Sequence, residues 1–267
     1  KRNIPISIIN GRISDSTFNS YLKVKFFFKE VFKNFTAVYT QSEDDKRKYI
    51  EIGANKDKVE VMGNLKFDIQ KKESDIEIGQ KGFRIVIAGS THSGEDEIVL
   101  KAFKNLKSKH DDIKLLLAPR HPKRLPEIEV LMKDMGLKYG LRSKDDRFND
   151  YDIIILDTLG ELGKMYSICH FAFIGGSFNN TGGHNPLEAS VYDKPTITGP
   201  SIHNFKDIYG MLNKTDAGQL VKTPEELEQY QDKLLSDNAF YNKACNDCKT
   251  VFEAQQGALD FVISKIH

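Results

Sequence analysis

Four short runs in this chain are apolar almost without interruption: IVIAG at 85–89, IKLLLA at 113–118, DIIIL at 152–156 and FAFIGG at 171–176. A strand with one wet face alternates apolar and polar residues, and these do not. They read as strands buried on both faces, the pattern of a parallel sheet covered by helices. Segments with helical periodicity lie between them, at 95–109, 125–135 and 161–169. Parallel neighbours need crossover connections, so the class is α/β with a doubly wound sheet. In such sheets ligands bind outside the carboxyl ends of the strands, which directs attention to the residues just after each strand.

The same alternation extends in both directions. Strands are expected at 4–10, 37–40, 59–63, 84–90, 137–141, 195–198 and 218–221. Helices are expected at 16–35, 42–52, 186–192, 205–214, 224–236 and 239–266. The polar stretch IQKKESDIEIGQKG after Asp68 lacks periodicity and reads as a linker. With 267 residues, 39% hydrophobic and 29% charged, the chain can build one large or two small domains. A net charge of +1 supplies no global field toward nucleic acid, so no nucleic-acid partner is expected. No run approaches the ~20 apolar residues that span a bilayer. Cys245 and Cys248 form a CxxC without a second ligand pair, so no metal is expected and the pair reads as helix residues. So few cysteines suit a reducing compartment. The chain opens directly on a strand-like segment, KRNIPISIIN, which raises the expectation of a preceding N-terminal part.

The segments that follow the strands share a polar, flexible character: Ser90-Thr91-His92-Ser93-Gly94-Glu95, Pro119-Arg120-His121-Pro122, Thr158-Leu159-Gly160-Glu161-Leu162 and GGSFNNTGGHNPLEAS at 175–190. In the last of these, Gly175-Gly176 permits close backbone approach, and Gly182-Gly183 permits positive φ before a helix. Asn185 can cap that helix with Pro186 as its first residue, and the helix start suits a phosphate. Glu188 leaves two readings open. It can close a capping box with Asn185, or accept hydrogen bonds from a ribose diol. Arg120, just beyond a buried strand, can pair bidentately with phosphate, with His121 as an orienting partner. His184 can face a ligand or bond the loop backbone. Asp157 reads as the cap of a helix starting at Leu159, and Glu161 as serving that helix's dipole. Near the start, Lys25, Lys29 and Lys33 form a basic stripe among Phe26, Phe27, Phe28, Phe32 and Phe35. That helix suits a core position or an anionic membrane surface.

Taken together, GNLKFD at 63–68, GSTHSGE at 89–95, APRHPKR at 118–124, DTLGEL at 157–162 and GGSFNNTGGHNPLE at 175–188 resemble the Kdo (3-deoxy-D-manno-oct-2-ulosonic acid) transferases of lipopolysaccharide synthesis. NGRIS at 10–14 and the pairs Gly199-Pro200 and Asn204-Phe205 extend the resemblance over nearly the whole chain. The family more often has alanine at the position of Gly11.

The resemblance implies a GT-B-type glycosyltransferase fold of Rossmann-like domains, with the N-terminal domain largely missing. Residues 1–67 would be the remnant of that acceptor-side domain, and 68–267 the donor nucleotide-binding domain. It implies Kdo transfer from the donor CMP-Kdo to a lipid A precursor, with no further cofactor, on the cytoplasmic face of a Gram-negative inner membrane. Carried onto this sequence, Arg120 would contact the donor and stabilise the transition state, with Ser90 and His121 beside it. Gly160 and Leu162 would line the cytidine pocket, and Gly176 and Ser177 would approach the phosphate. Asn185 would help to position that phosphate, and Glu188 would hold the ribose. The general base would lie in the absent domain, leaving this chain inactive alone. Two rival readings are a GT-B enzyme using a UDP-sugar and a non-catalytic nucleotide-binding module.

Overall fold

The computed structural model describes residues 4–72 and 76–266. The first residues of the opening strand-like segment and the middle of the expected linker lie outside the described residues. The chain divides into two compact units. One holds the described residues up to 69 together with 253–266, and the other holds the described residues from 70 to 252. The boundary pair 1–67 and 68–267 does not describe this division, because the last helix groups with the first unit.

In the first unit, β1 (Ser7–Gly11), β2 (Ala37–Thr40) and β3 (Val59–Val61) form a parallel sheet in chain order. Side chains alternate across it. Val38 packs on one face with Ile13, Phe32, Tyr49 and Ile52, while Ala37 and Tyr39 meet Met62, Ala258 and Val262 on the other. The expected helix at 16–35 is two helices, α1 (Asp15–Lys23) and α2 (Lys25–Phe32). Val24 separates them at φ −119° and ψ 29°, and its N–H bonds to Tyr21 in a tightened turn. The break re-phases the apolar stripe. Phe28, Phe32 and Phe35 join the core, and Phe26 and Phe27 stay in solvent. Helix α3 (Glu43–Glu51) starts at Ser42, whose Oγ accepts from the Asp45 N–H at 3.1 Å.

Among the described residues of the second unit, seven strands form an all-parallel sheet: β4 (Arg84–Thr91), β5 (Ile113–Pro119), β6 (Tyr139–Leu141), β7 (Ile153–Ile155), β8 (Cys169–Ile174), β9 (Thr196–Thr198) and β10 (Gly218–Leu220). Their spatial order is β10-β9-β8-β4-β5-β7-β6. The continuous apolar runs now have their explanation. Val86, Leu115, Ile153 and Phe171 belong to one core, and their neighbours Ile87, Leu116, Ile154 and Ala172 belong to another on the opposite face. Each strand therefore seals two layers at once.

Helices cover both faces: α4 (Glu95–Lys107), α5 (Leu125–Asp134), α6 (Leu162–Met165), α7 (Leu187–Ser190), α8 (Lys206–Leu212), α9 (Pro224–Ser236) and α10 (Asn238–Glu253). Helix α9 carries its cap in the sequence, since Thr223 Oγ1 accepts from Glu226 N–H and Pro224 opens the first turn. The expected linker is partly core, because Ile78 is buried beside Phe148. The expected helix at 239–266 is interrupted at Gly257, with φ 101°. Cys245 and Cys248 lie in α10, and burial pushes the Cys248 thiol up to about 12.

Candidate functional site

The strand order reverses at β4. From that strand the sheet grows through β5 and β7 on one side and through β8 and β9 on the other. Loops leaving β4 and β8 diverge there, opening the crevice in which such sheets bind ligands. The backbone is tight at this point. Ser90 holds a positive φ of 56°, and a Cβ on Gly175 would come 2.5 Å from the Ser90 carbonyl oxygen. The glycine that follows β8 is thus required by the close approach of β4.

A buried carboxylate ties the two loops together. Glu95, the first residue of α4, is 1% exposed. Its oxygens accept from the N–H groups of Gly176 at 2.7 Å, Ser177 at 2.8 Å and Phe178 at 2.9 Å, and from His92 N–H at 2.9 Å. Such a nest of amides is an anion site, and the protein fills it with its own side chain. Gly176 and Ser177 were expected to present this backbone to a phosphate. Their amides already donate to Glu95, so they act on the site through the loop that Glu95 fixes. Nothing in the sequence marks this role, because the partners stand 81 to 83 positions away.

A second buried network holds the β4 loop from below. Thr91 Oγ1 donates to Asp96 at 2.6 Å, and Arg124 reaches Asp96, Glu127 and the Thr91 carbonyl. Asp96 is completely buried, and the Arg124 and Thr91 contacts offset the cost of that burial. Arg120 points elsewhere. Its backbone N–H bonds to the Thr91 carbonyl at 2.9 Å, and its guanidinium is exposed, without an ion pair among the described residues.

Above this floor lie three imidazoles. The Nε2 atoms of His92 and His184 are 2.8 Å apart, with the rings nearly parallel at 12°. His121, exposed, stands edge-on to His92 with ring centroids 5.8 Å apart. Burial, then the neighbouring His92 and Arg120, pushes His184 down to about 4. Burial also lowers His92. His184 thus faces the crevice's charged groups in addition to lending its carbonyl to the Tyr209 hydroxyl at 2.9 Å.

The remaining expected residues fall around the same opening, with corrections. Asn185 Oδ1 accepts from Leu187 N–H at 3.2 Å, a local turn bond. The capping box with Glu188 does not form among the described residues. Helix α7 is one turn long, so few peptide dipoles add at its start. Glu188 is half-buried with no hydrogen bond among the described residues, and burial raises its pKa against the pull of Lys72 and Arg120. Gly160 is exposed at φ 84°, with open space where a side chain would begin. Leu162 packs half-buried on the core beneath. Asp157 caps no helix after it. It binds back to Ser143, accepting from N–H at 2.9 Å and from Oγ at 2.5 Å. Glu161 pairs with Thr158 and Arg142, and α6 begins only at Leu162.

Residues 1–69 match the family model described as 3-deoxy-D-manno-octulosonic-acid transferase. A Haemophilus influenzae 3-deoxy-D-manno-octulosonic acid transferase is 34% identical over 97% of this chain, which covers 62% of that protein. A bifunctional glycosyltransferase/methyltransferase of Fusobacterium nucleatum is 39% identical over 91% of this chain, which covers 40% of that protein. The chain therefore spans less than two thirds of the relatives it matches. Among solved structures, the C-terminal CMP-Kdo binding domain of WaaA from Acinetobacter baumannii superposes with a TM-score of 0.62 at 24% identity. The match covers 65% of this chain and 91% of that one. The fold is the Rossmann-like α/β architecture of the GT-B class. In sequence, this chain is similar to the 3-deoxy-D-manno-octulosonic acid transferases over nearly its whole length.

Proposed function

We propose that this chain supplies the donor site of an enzyme that transfers Kdo from CMP-Kdo to a lipid A precursor in lipopolysaccharide synthesis. The observation that carries the reading is the Glu188 carboxylate, half-buried and without a hydrogen bond among the described residues, in the crevice that Arg120 also borders. A desolvated carboxylate gains from hydroxyl donors, and a ribose diol offers two. Arg120 takes the phosphate, Ser90 and His121 border it, Asn185 orients the turn beneath, and Gly160 and Leu162 form the cytidine wall. In transfer, a lipid A hydroxyl attacks the anomeric carbon as the bond to CMP breaks. CMP leaves with the electron pair, and Arg120 meets the charge that grows on the phosphate. The hydroxyl proton passes to a base outside these residues, so the chain alone binds nucleotide and transfers little sugar.

The similarity to the CMP-Kdo binding domain from Acinetobacter supports the choice of nucleotide. Calorimetric titration tests it. CMP should bind at least tenfold more tightly than UDP, and equal affinity would favour a UDP-sugar enzyme instead.

The acceptor is a lipid, and the reading extends to peripheral docking on an anionic membrane at the cytoplasmic face of the inner membrane. Helix α2 supports this. Phe26 and Phe27 are 76% and 56% exposed, next to Lys25 and Lys29. None of the described helices is long and apolar enough to cross a membrane.

A further inference from the structure

The crevice has one feature that the donor-site reading leaves unused, the His92–His184 pair. Two Nε2 atoms 2.8 Å apart share a single hydrogen, so one ring donates and the other offers its lone pair. A neutral pair of this kind can accept one further proton, at Nδ1 of the donating ring or by breaking the shared bond, and becomes a cation fixed in place.

The charges around it decide when that happens. Arg120 and His121 face it from the turn after β5, and Arg124 from the short helical turn that follows. Glu95, at the start of α4, is a carboxylate whose charge favours protonation of both rings, and it is saturated by four backbone N–H groups. Glu188 lies in the field of Arg120 and Lys72. Without a ligand, the pair therefore sits among cations and stays neutral. An acid group placed beside Arg120 would reverse that balance, since an anion within ~4–6 Å favours the charged imidazole.

We propose that His92 and His184 form, with Arg120, the acid-recognition element of the donor site, and that the pair takes up one proton when the donor's anionic group docks against it. The proposal rests on the donor-site reading above. Phosphate and sugar carboxylate share the required chemistry. Proton uptake would let the pair stay neutral in the empty pocket and add a positive charge only against an acid, which discriminates against neutral nucleosides.

Nuclear magnetic resonance titration of the histidine Cε1–H signals tests this in the intact chain, which has seven histidines. The two signals are assigned by their loss in His92→Gln and His184→Gln. Titrations are run free and with saturating CMP, free Kdo or cytidine. His184, which burial pushes down to about 4 in the free protein, should titrate at least one unit higher with the acid that occupies the element. That shift equals a tenfold tighter binding of the protonated form. A shift with CMP names the phosphate, and a shift with Kdo names the carboxylate. The inference is overturned if every acid that binds, as read from other signals of the second unit, leaves the His92 and His184 curves unmoved. It is overturned equally if cytidine shifts them as far as CMP does. Failure of both acids to bind overturns this inference and the donor-site reading together.

Discussion

At the scale of single residues, two carboxylates of the same unit differ because their partners differ. Glu95 is buried and saturated by backbone amides, so its charge is spent on architecture. Glu188 is half-buried and unbonded among the described residues, so its charge remains available. Removing it should therefore cost binding and little stability. Glu188→Gln is expected to weaken CMP by about tenfold, near the ~1.5–3 kcal/mol of a hydrogen bond to a charged group. Its thermal midpoint should stay close to the parent's, or rise, because a desolvated charge is removed. Titration calorimetry and a melting scan on the same samples check both halves. An unchanged affinity would remove Glu188 from the nucleotide site. The positions of Glu188 and Arg120 were legible in the sequence, because each stands just past a strand or within a glycine-rich loop. It left Glu95 without a role, because a buried anion is recognised by partners that only the fold brings near.

Elements show where periodicity suffices and where it fails. The central strands were readable because burial on both faces leaves no polar alternation, and β4, β5 and β8 fall where the apolar runs lie. Helices were less readable where one apolar pattern serves two segments. The run at 16–35 divides at Val24, and the run at 239–266 divides near Gly257. In the second case the cap lies far away in sequence. Asp68 accepts from the N–H groups of Gly257 and Leu259, both at 2.8 Å, and so starts the terminal helix (Ala258–Ile266). The division at Val24 leaves Phe26 and Phe27 exposed, as the proposed membrane docking requires. The chain has no tryptophan, so Phe26→Trp introduces a lone reporter. Its fluorescence should shift to the blue on vesicles containing phosphatidylglycerol, and much less on phosphatidylcholine alone or at high salt. An emission indifferent to anionic lipid would return α2 to an ordinary surface helix.

For the molecule as a whole, two partly buried histidines make folding sensitive to acid. His170 stacks on Tyr241 with centroids 3.7 Å apart, and its burial, then the Arg84 charge, pushes it down to about 4. His184 lies at about 4 as well. In the unfolded chain a histidine titrates near about 6.5. Between those values the unfolded state binds more protons, so stability is intact above about pH 6.5 and falls as pH drops toward 4. His170 alone should account for roughly 3 kcal/mol of that loss. Urea unfolding between pH 7.5 and 4.5 should show the decline, and His170→Phe should flatten its slope. A slope identical in the variant would place the acid sensitivity elsewhere.

The position of the bound nucleotide decides whether this crevice is the donor site. A crystal structure of the chain with CMP is the most direct measurement. Its ribose should meet Glu188 and its phosphate should lie within reach of Arg120 and the His92–His184 pair, with the Glu95 bonds to Gly176 and Ser177 intact. CMP bound away from the β4–β8 crevice, or a phosphate that displaces Glu95 from those amides, would contradict it.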